Sequence, residues 1–581
     1  MNTESSHNPA ELAAQNALDR VFSCIEEKKS FVLEAGAGAG KTYTLIRALQ
    51  HLVKNQGQNL VRRNQKIACI TYTNVAKNEI LSRTDSNPAI LAETIHSFCW
   101  SLINDFQPEL RTLIPSINEK WSQRIIDAGG TLARSVKYDL GYPKVKENEI
   151  WLHHDDVLWL MIKLMEQHKF RVIFKSRYPI LFIDEYQDTD KGIAAALKNY
   201  FFETGEGPLI GLFGDHWQKI YGNGCGEIRH DSLEVIGKEA NFRSDRKIVE
   251  CLNRMRTDLP QKEQDPDSEG TVLVAHTNDW TAGTRRTEPH WKDDLPSDVA
   301  HRYLEDLRKE LISYGWDFSP EKTKILMLTH NVLADEQGYR NLADIFPRTE
   351  SYIKKEDNYI AFFIDILEPA CTAYKASHYG EMFSVLGRKA SIRKQSDKSK
   401  WSESMKTLLE LRQSGTIGEV IEHLKNSKRP NLPEKILDKE EKLRHIVENP
   451  EENLPEDEKD ALDRLQKFKT IHYSEVVALA KFIDEKTPFS TKHGVKGAEF
   501  ENVLVVFGRG WNQYNFGQML DWAKNGIPSG KQDSFERNRN LFYVVCSRPQ
   551  RRLVLLFTQK LSFSALETLS NWFGPESIRS L

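Results

Sequence analysis

Phe31-Val32-Leu33-Glu34-Ala35 is a largely apolar run that breaks into Gly36-Ala37-Gly38-Ala39-Gly40, then Lys41-Thr42, and continues with apolar periodicity from Leu45 to Val53. Strand, small-residue loop and helix in that order predict an α/β unit with a parallel sheet. Ala35 to Thr42 reads as a phosphate loop, with Ala35 where the general pattern has its first Gly. The glycines let backbone N–H groups face phosphate at a helix N-terminus, Lys41 reaches the β and γ phosphates, and Thr42 offers a hydroxyl to Mg2+. Three further apolar runs carry polar residues at their carboxyl ends: Lys66 to Thr71 leads into Tyr72-Thr73-Asn74, Pro179 to Ile183 into Asp184-Glu185, and Pro208 to Phe213 into Gly214-Asp215. That pattern predicts an open parallel sheet with its site along one edge. Alone, Asp184-Glu185 is either a solvated strand end or a working acid pair. Beside Lys41-Thr42 it reads as a hydrolysis site, one acid holding the metal and its neighbour orienting water on the γ-phosphate.

The 581 residues leave room for roughly four domains of about 150 residues. Leu102 to Arg177, rich in Trp, Leu and Ile at helical spacing and too long for a loop, is expected to be a mostly helical insertion. A second α/β pattern follows Asn241-Phe242-Arg243, with strands at Thr271 to Ala275, Lys324 to Thr329, Val503 to Phe507 and Leu553 to Phe557. The expected organisation is one α/β domain over 1–101 and 178–240 with insertion 102–177, and a second over 241–375 and 475–581 with a short helical insertion at 376–474. In that second insertion six basic residues between Arg388 and Lys400 either face duplex phosphates or form a solvated helix face. No apolar run approaches the roughly 18 residues of a membrane span, and the polar stretch up to Leu12 lacks the features of a secretory signal, so a cytoplasmic protein is expected. Seven scattered cysteines without Cys-x-x-Cys argue against disulfides and metal clusters. With a formal charge of -3, any nucleic-acid surface must be local.

The motifs, taken in order, resemble those of the UvrD/Rep/PcrA group of superfamily-one helicases. They comprise Gln15, Ala35 to Thr42, Thr71 to Asn74 with Ala76 and Glu79, Thr94 to Phe98, Asp184 to Asp188, Gly214 to Tyr221, Asn241 to Ser244, His493 to Phe500, and Asn540 to Arg548. The resemblance spans nearly the whole chain. It implies two RecA-like parallel-sheet domains, each with a mainly helical insertion, that use ATP and Mg2+ to move 3′ to 5′ on single-stranded DNA. It further implies that Gln15 reads the adenine edge, Phe242 stacks on the base with Tyr43 flanking it, and Glu499 contacts the nucleotide. Lys41 and Thr42 would bind phosphate and Mg2+, Asp184 would complete the metal shell, and Glu185 would be the catalytic base. Gln218 would sense the γ-phosphate, while Arg243 and Arg548 would stabilise the charge developing on the transferring phosphate.

For the DNA track the resemblance points to Tyr72, Thr73, Asn74, His96, Trp217, Tyr221 and His493. Aromatic rings hold successive bases at about 1–3 kcal/mol per stack. Periodicity alone leaves Tyr72 and Tyr221 equally compatible with core positions. After Tyr221 relatives usually carry an aromatic residue and then Arg-Gly-Ala, whereas this chain has Gly222-Asn223-Gly224-Cys225-Gly226. The compact size, the short second insertion and Asp184 to Asp190 also look like the UvrD-like subunit of the Gabija antiphage system, whose partner is an OLD-family nuclease with a Toprim domain. The chain ends about thirty residues after Arg548, so any cutting is expected from a partner. Two functions stay open. One is a translocase or helicase at single-stranded DNA and its duplex junctions, in antiphage defence or DNA repair; the other is an ATP-gated DNA-sensing or scaffold subunit of a nuclease complex with little unwinding of its own.

Overall fold

A parallel strand is covered on both faces, so it is apolar along its whole length rather than at alternate residues. The computed structural model describes residues 8–138, 143–220, 222–327, 330–346, 348–387, 392, 394–448, 456–490, 497–509 and 514–581. It opens with three such strands, β1 (Phe31–Ala35), β2 (Ile67–Thr71) and β3 (Ile90–Thr94). Among the described residues between Leu102 and Arg177, helices and their connecting turns are joined by a small three-stranded sheet of β4 (Ser135–Tyr138), β5 (Lys144–Val145) and β6 (Glu149–Leu152), with β6 central. Helical periodicity did not foresee this sheet: strands of four, two and four residues are too short to display an alternation. β7 (Ile180–Asp184), β8 (Leu209–Gly214) and β9 (Glu234–Lys238) complete the first large sheet, in the order β3-β2-β7-β8-β1-β9. Every neighbouring pair in it is parallel.

Alternate residues of these strands serve opposite faces. Val32, Ala68, Ile70, Leu181 and Ile183 enter a core shared with the 102–177 segment. Phe31, Leu33, Ile67, Cys69 and Phe182 pack with the apolar faces of the helices Pro9–Glu26 and Lys41–Arg62. This double coverage accounts for the continuous apolar runs read in the sequence.

The chain forms two compact units. The first takes in Met1–Val274, Gln513–Leu553 and Ser562–Ile578; the second takes in Ala275–Asn512, Val554–Leu561 and Arg579–Leu581. Besides the first sheet, the first unit holds the short parallel pair β10 (Ala240–Asn241) and β11 (Lys262–Glu263), and the helix Gln532–Cys546. A second six-stranded sheet has the order β14-β13-β15-β16-β12-β17. Its strands are β12 (Thr271–His276), β13 (Thr323–Met327), β14 (Phe489–Ser490), β15 (Phe500–Phe507), β16 (Pro549–Phe557) and β17 (Ile578–Ser580). Within the second unit β13 pairs in parallel with both β14 and β15. Two large, predominantly parallel sheets thus bear out the α/β expectation.

The helices between Arg340 and Ile483 bury an aromatic core that includes Tyr359, Phe363, Phe468 and Tyr473. Of the basic cluster, Arg388, Lys389 and Arg393 lie outside the described residues, while Lys394, Lys398 and Lys400 are exposed. All seven cysteines are free, and burial raises every thiol, Cys99, Cys225 and Cys371 to about 12 and Cys251 to about 11. No described helix is long and apolar enough to cross a membrane.

Candidate functional site

Because the strands of the first sheet run in one direction, the segments that follow β1, β2, β3, β7 and β8 all emerge along one edge. The loop after β1 turns through left-handed backbone at Gly38 (φ +74°) and Gly40 (φ +71°), where a side chain would be strained. A Cβ on Gly38 would also stand 2.7 Å from Asn241 Oδ1 and 2.8 Å from Arg243 Cβ. The loop is braced from that side. Gln261 Nε2 and Asn241 Nδ2 donate to Ala37 O at 3.0 and 3.3 Å, and Phe242 N donates to Gly38 O at 2.9 Å. Gly40 then caps the helix Lys41–Arg62, whose first-turn N–H groups lack intrahelical partners and face the loop opening.

Lys41 Nζ lies 3.1 Å from Glu185 Oε1. Burial opposes the lysine charge, but Glu185, Asp215 and Asp184 outweigh it and hold its pKa above the ordinary value. Asp184 ends β7 and is buried; Glu185 follows in a left-handed conformation (φ +49°), a strained position for a non-glycine residue that is typical of functional sites. Gln187 joins two strand ends: its Nε2 donates to Glu185 Oε2 at 2.5 Å and its Oε1 accepts from Asp215 N at 3.0 Å. Asp215 Oδ2 accepts from Gln218 Nε2 at 2.7 Å, and Gln218 Oε1 accepts from an Arg548 NH2 group at 3.3 Å. Arg243 donates to Ser547 O at 3.0 Å. Burial, and then the charge of Arg243, push Arg548 down to about 9. The structure therefore gathers Lys41, Asp184, Glu185, Gln218, Arg243 and Arg548 at one place.

Sequence reasoning missed the charges that hold this network. Arg256 is 2% exposed and places a guanidinium nitrogen 2.5 Å from Asp215 Oδ1. The same guanidinium lies over the rings of Trp217 and Tyr543, at 5.4 and 5.8 Å from their centroids. Burial alone would raise the Asp215 pKa, but Arg256 and then Lys41 outweigh it and keep the carboxyl below its ordinary range. Glu34, inside β1, accepts from the Tyr186 hydroxyl and lies 3.2 Å from His216 Nδ1. Burial works against the imidazolium, yet Glu34 more than offsets it and His216 is raised. Glu34, Asp215 and His216 bring ligand atoms close enough for a metal ion, but Arg256 already stands at 2.5 Å from Asp215 and 3.7 Å from Glu34. The guanidinium takes the place of a cation there. An acid within an otherwise apolar strand was a visible signal for Glu34; nothing local to Arg256 linked it to Asp215.

The remaining expected residues are more dispersed. Gln15 is exposed on the helix Pro9–Glu26 and donates to Asp19 at 2.7 Å. Tyr43 and Phe242 are 55% and 36% exposed, and Thr42 is half-buried beside Lys41. Glu499 is exposed in the second unit, immediately before β15. Along the edge of the first sheet Tyr72 is 47% exposed, Thr73 caps the helix Asn74–Arg83 by accepting from Ala76 N at 3.2 Å, and Asn74 is exposed. His96 is half-buried with its ring 4.7 Å from that of His154; burial, then His154, lower its pKa. Trp217 is packed in rather than presented, with the Arg539 guanidinium 3.9 Å from its ring centroid and Tyr543 edge-on at 5.5 Å. Tyr221 and His493 lie outside the described residues. The Gly222 to Gly226 segment folds back on the acidic motif: Cys225 N donates to Thr189 O at 2.8 Å and Gly226 N to Gln187 O at 3.0 Å. A Cβ at Gly224 would meet Gln187 O at 2.4 Å, so this position admits no side chain without a shift of backbone.

Residues 20–223 match the family model of an AAA domain, and residues 302–560 that of the UvrD-like helicase C-terminal domain. The chain is 27% identical to the Gabija protein GajB of Bacillus cereus (strain HuB5-5), across 94% of this chain and 95% of that protein. It is 26% identical to the ATP-dependent DNA helicase UvrD1 of Mycobacterium leprae (strain TN), across 20% of this chain and 15% of that protein.

Proposed function

Because the chain belongs to the UvrD-like helicase family, we propose that it hydrolyses ATP to move 3′ to 5′ along single-stranded DNA. The observation that carries this reading is the unbroken path of polar contacts from Lys41 and Glu185 through Gln187, Asp215 and Gln218 to Arg548. Such a path lets the occupant of the phosphate loop be felt at both the acid pair and the arginine. Glu185 orients water on the γ-phosphate and accepts its proton; Lys41 meanwhile binds phosphate oxygen, which releases Glu185 from its present ion pair. Gln218 reads the γ-phosphate, and Arg243 and Arg548 stabilise the charge that develops on it. Thr42 and Asp184 are hard oxygen donors at the loop and the end of β7, a set that suits Mg2+. When bound there, Mg2+ would neutralise phosphate charge.

Gln15, Tyr43 and Phe242 hold the adenine, and Glu499 adds a nucleotide contact. Tyr72, Thr73, Asn74, His96, Tyr221 and His493 form the DNA track, while Trp217 supports it from within rather than stacking on a base. Two RecA-like domains, over 1–101 with 178–240 and over 241–375 with 475–581, carry helical insertions at 102–177 and 376–474. The similarity to GajB supports work in Gabija-type antiphage defence, and the partner proposed for that work is an OLD-family nuclease with a Toprim domain. Folding of Gly222 to Gly226 onto the acidic motif, in place of the relatives' aromatic and Arg, supports weak unwinding by the isolated chain and so keeps the DNA-sensing subunit as the second reading.

ATP turnover with and without single-stranded DNA, alongside strand displacement from 3′-tailed and 5′-tailed duplexes, separates these. The expected result is DNA-stimulated turnover with slight displacement confined to 3′-tailed duplexes. Turnover indifferent to DNA removes the translocase reading, and stimulation without any displacement selects the sensing subunit.

A further inference from the structure

Lys238 is the last residue of β9, beside Ala35 of β1, and is 1% exposed. Its Nζ donates to Thr44 Oγ1 at 2.7 Å and to Gly40 O at 3.0 Å. Both acceptors are neutral. Among the described residues the ammonium forms no ion pair: of the charged groups on the elements around it, Asp19 bonds Gln15, Arg20 pairs with Glu234, Glu34 serves Tyr186 and His216, and Lys41 pairs with Glu185. Burial with no opposing charge pushes Lys238 down to about 8. A buried ammonium is normally paired, since an isolated one is costly to remove from water. Here the unmet charge stands one residue from Lys41, directly behind the carbonyl of Gly40, the residue that turns the loop into its helix.

We propose that Lys238 is a second cation of the nucleotide site: it holds the phosphate loop from behind through Gly40 and Thr44, and its charge is met by the polyphosphate of the bound nucleotide. Its role rests on nucleotide binding at the loop, as argued above. The hydrogen bond to Gly40 O fixes the left-handed turn that aims the following N–H groups, and the ammonium adds positive potential where the loop alone supplies partial charges. An anion arriving in front of the loop favours the charged form of Lys238, so binding near pH 8 takes up protons.

Calorimetric titration of the full chain with ADP and Mg2+ at pH 8, repeated in buffers of low and high ionisation enthalpy, counts those protons. At that pH the diphosphate is already ionised, so uptake reports the protein. The expected value is about half a proton per ADP at pH 8, falling towards zero by pH 6 where the lysine is already charged. In Lys238→Met the uptake disappears and ADP affinity falls about tenfold or more; Lys238→Arg restores affinity without the uptake. ADP binding by Lys238→Met at the parental affinity overturns the proposal. So does parental binding at pH 8 without proton uptake, a measurement that needs no variant. A parental chain that binds no ADP at all removes the nucleotide site itself, a different failure from intact binding indifferent to Lys238.

Discussion

Replacing Arg256 by Met deletes a guanidinium 2% exposed from beside a carboxylate that is 0% exposed. The side chain that remains is of similar length and apolar, so the change is chiefly one of charge. Asp215 keeps Gln218 Nε2 at 2.7 Å and Trp217 N at 3.0 Å but loses the cation 2.5 Å away. Removing one partner of a buried ion pair costs about 3–5 kcal/mol, and the two surviving hydrogen bonds argue for the lower end, about 3 kcal/mol. Hydrogen exchange of the full chain reads this locally. If opening is governed by that pair, protection of the amides from Leu209 to Gln218 falls about a hundredfold, with ATP turnover falling alongside it because Gln218 loses its anchor. The double variant Arg256→Met with Asp215→Asn removes the stranded charge and recovers much of the protection. The pH dependence has a fixed sign. The Asp215 carboxyl is depressed in the folded chain, so its contribution is present above the ordinary Asp range near pH 4 and is lost as pH falls through the lower folded value. Arg256→Met removes that contribution at neutral pH and flattens the acid limb. A loss of protection below tenfold, or a double variant as weak as the single one, would refute the view that Arg256 acts by holding Asp215.

Lys41→Ala and Glu185→Gln are both expected to abolish ATP turnover, but in a nucleotide-binding assay only the first loses affinity; parental turnover by Glu185→Gln would strip that residue of its role as base. Arg548→Ala is expected to cost about 10³-fold or more in turnover with a far smaller change in ATP affinity, and a loss below threefold in folded protein contradicts the assignment. Tyr72→Ala is expected to weaken single-stranded DNA binding by about 1–3 kcal/mol and to lower the DNA stimulation of turnover; unchanged affinity in a fluorescence anisotropy titration would show that no base rests on its ring.

The legible parts of this molecule are those whose chemistry is contiguous in the chain. Gly36 to Thr42 and Asp184-Glu185 announced themselves because a phosphate loop and an acid pair each need neighbouring residues after an apolar strand, and the sheet places both on one edge. What escaped depends on partners that only folding brings together. Asp215 and Arg256 lie on separate elements, and neither segment alone shows a periodicity that would pair them. Trp217 sat in a motif that pointed to DNA, yet Arg539 and Tyr543, from a helix far along the chain, enclose it. Neither the strand that ends at Lys238 nor the lysine itself stood out in the sequence, since burial without a counter-charge is invisible until the loop packs over it. The sheet formed by β4, β5 and β6 was lost for a simpler reason: its strands are shorter than the window in which an alternation can be recognised.

The burial of the native thiols has a practical consequence for watching this molecule at work. Alkylating dyes react with thiolate, and thiols raised to about 11 or 12 present only ~10⁻⁴ or less of that form at pH 7. Cys99, Cys225, Cys251 and Cys371 are therefore expected to react slowly with maleimide, and Cys24, Cys69 and Cys546 are buried and raised as well. A cysteine introduced at Leu132, 88% exposed in the first unit, or at Tyr379, 52% exposed in the second, would take a single environment-sensitive fluorophore, and each unit could then be followed by itself as nucleotide is added.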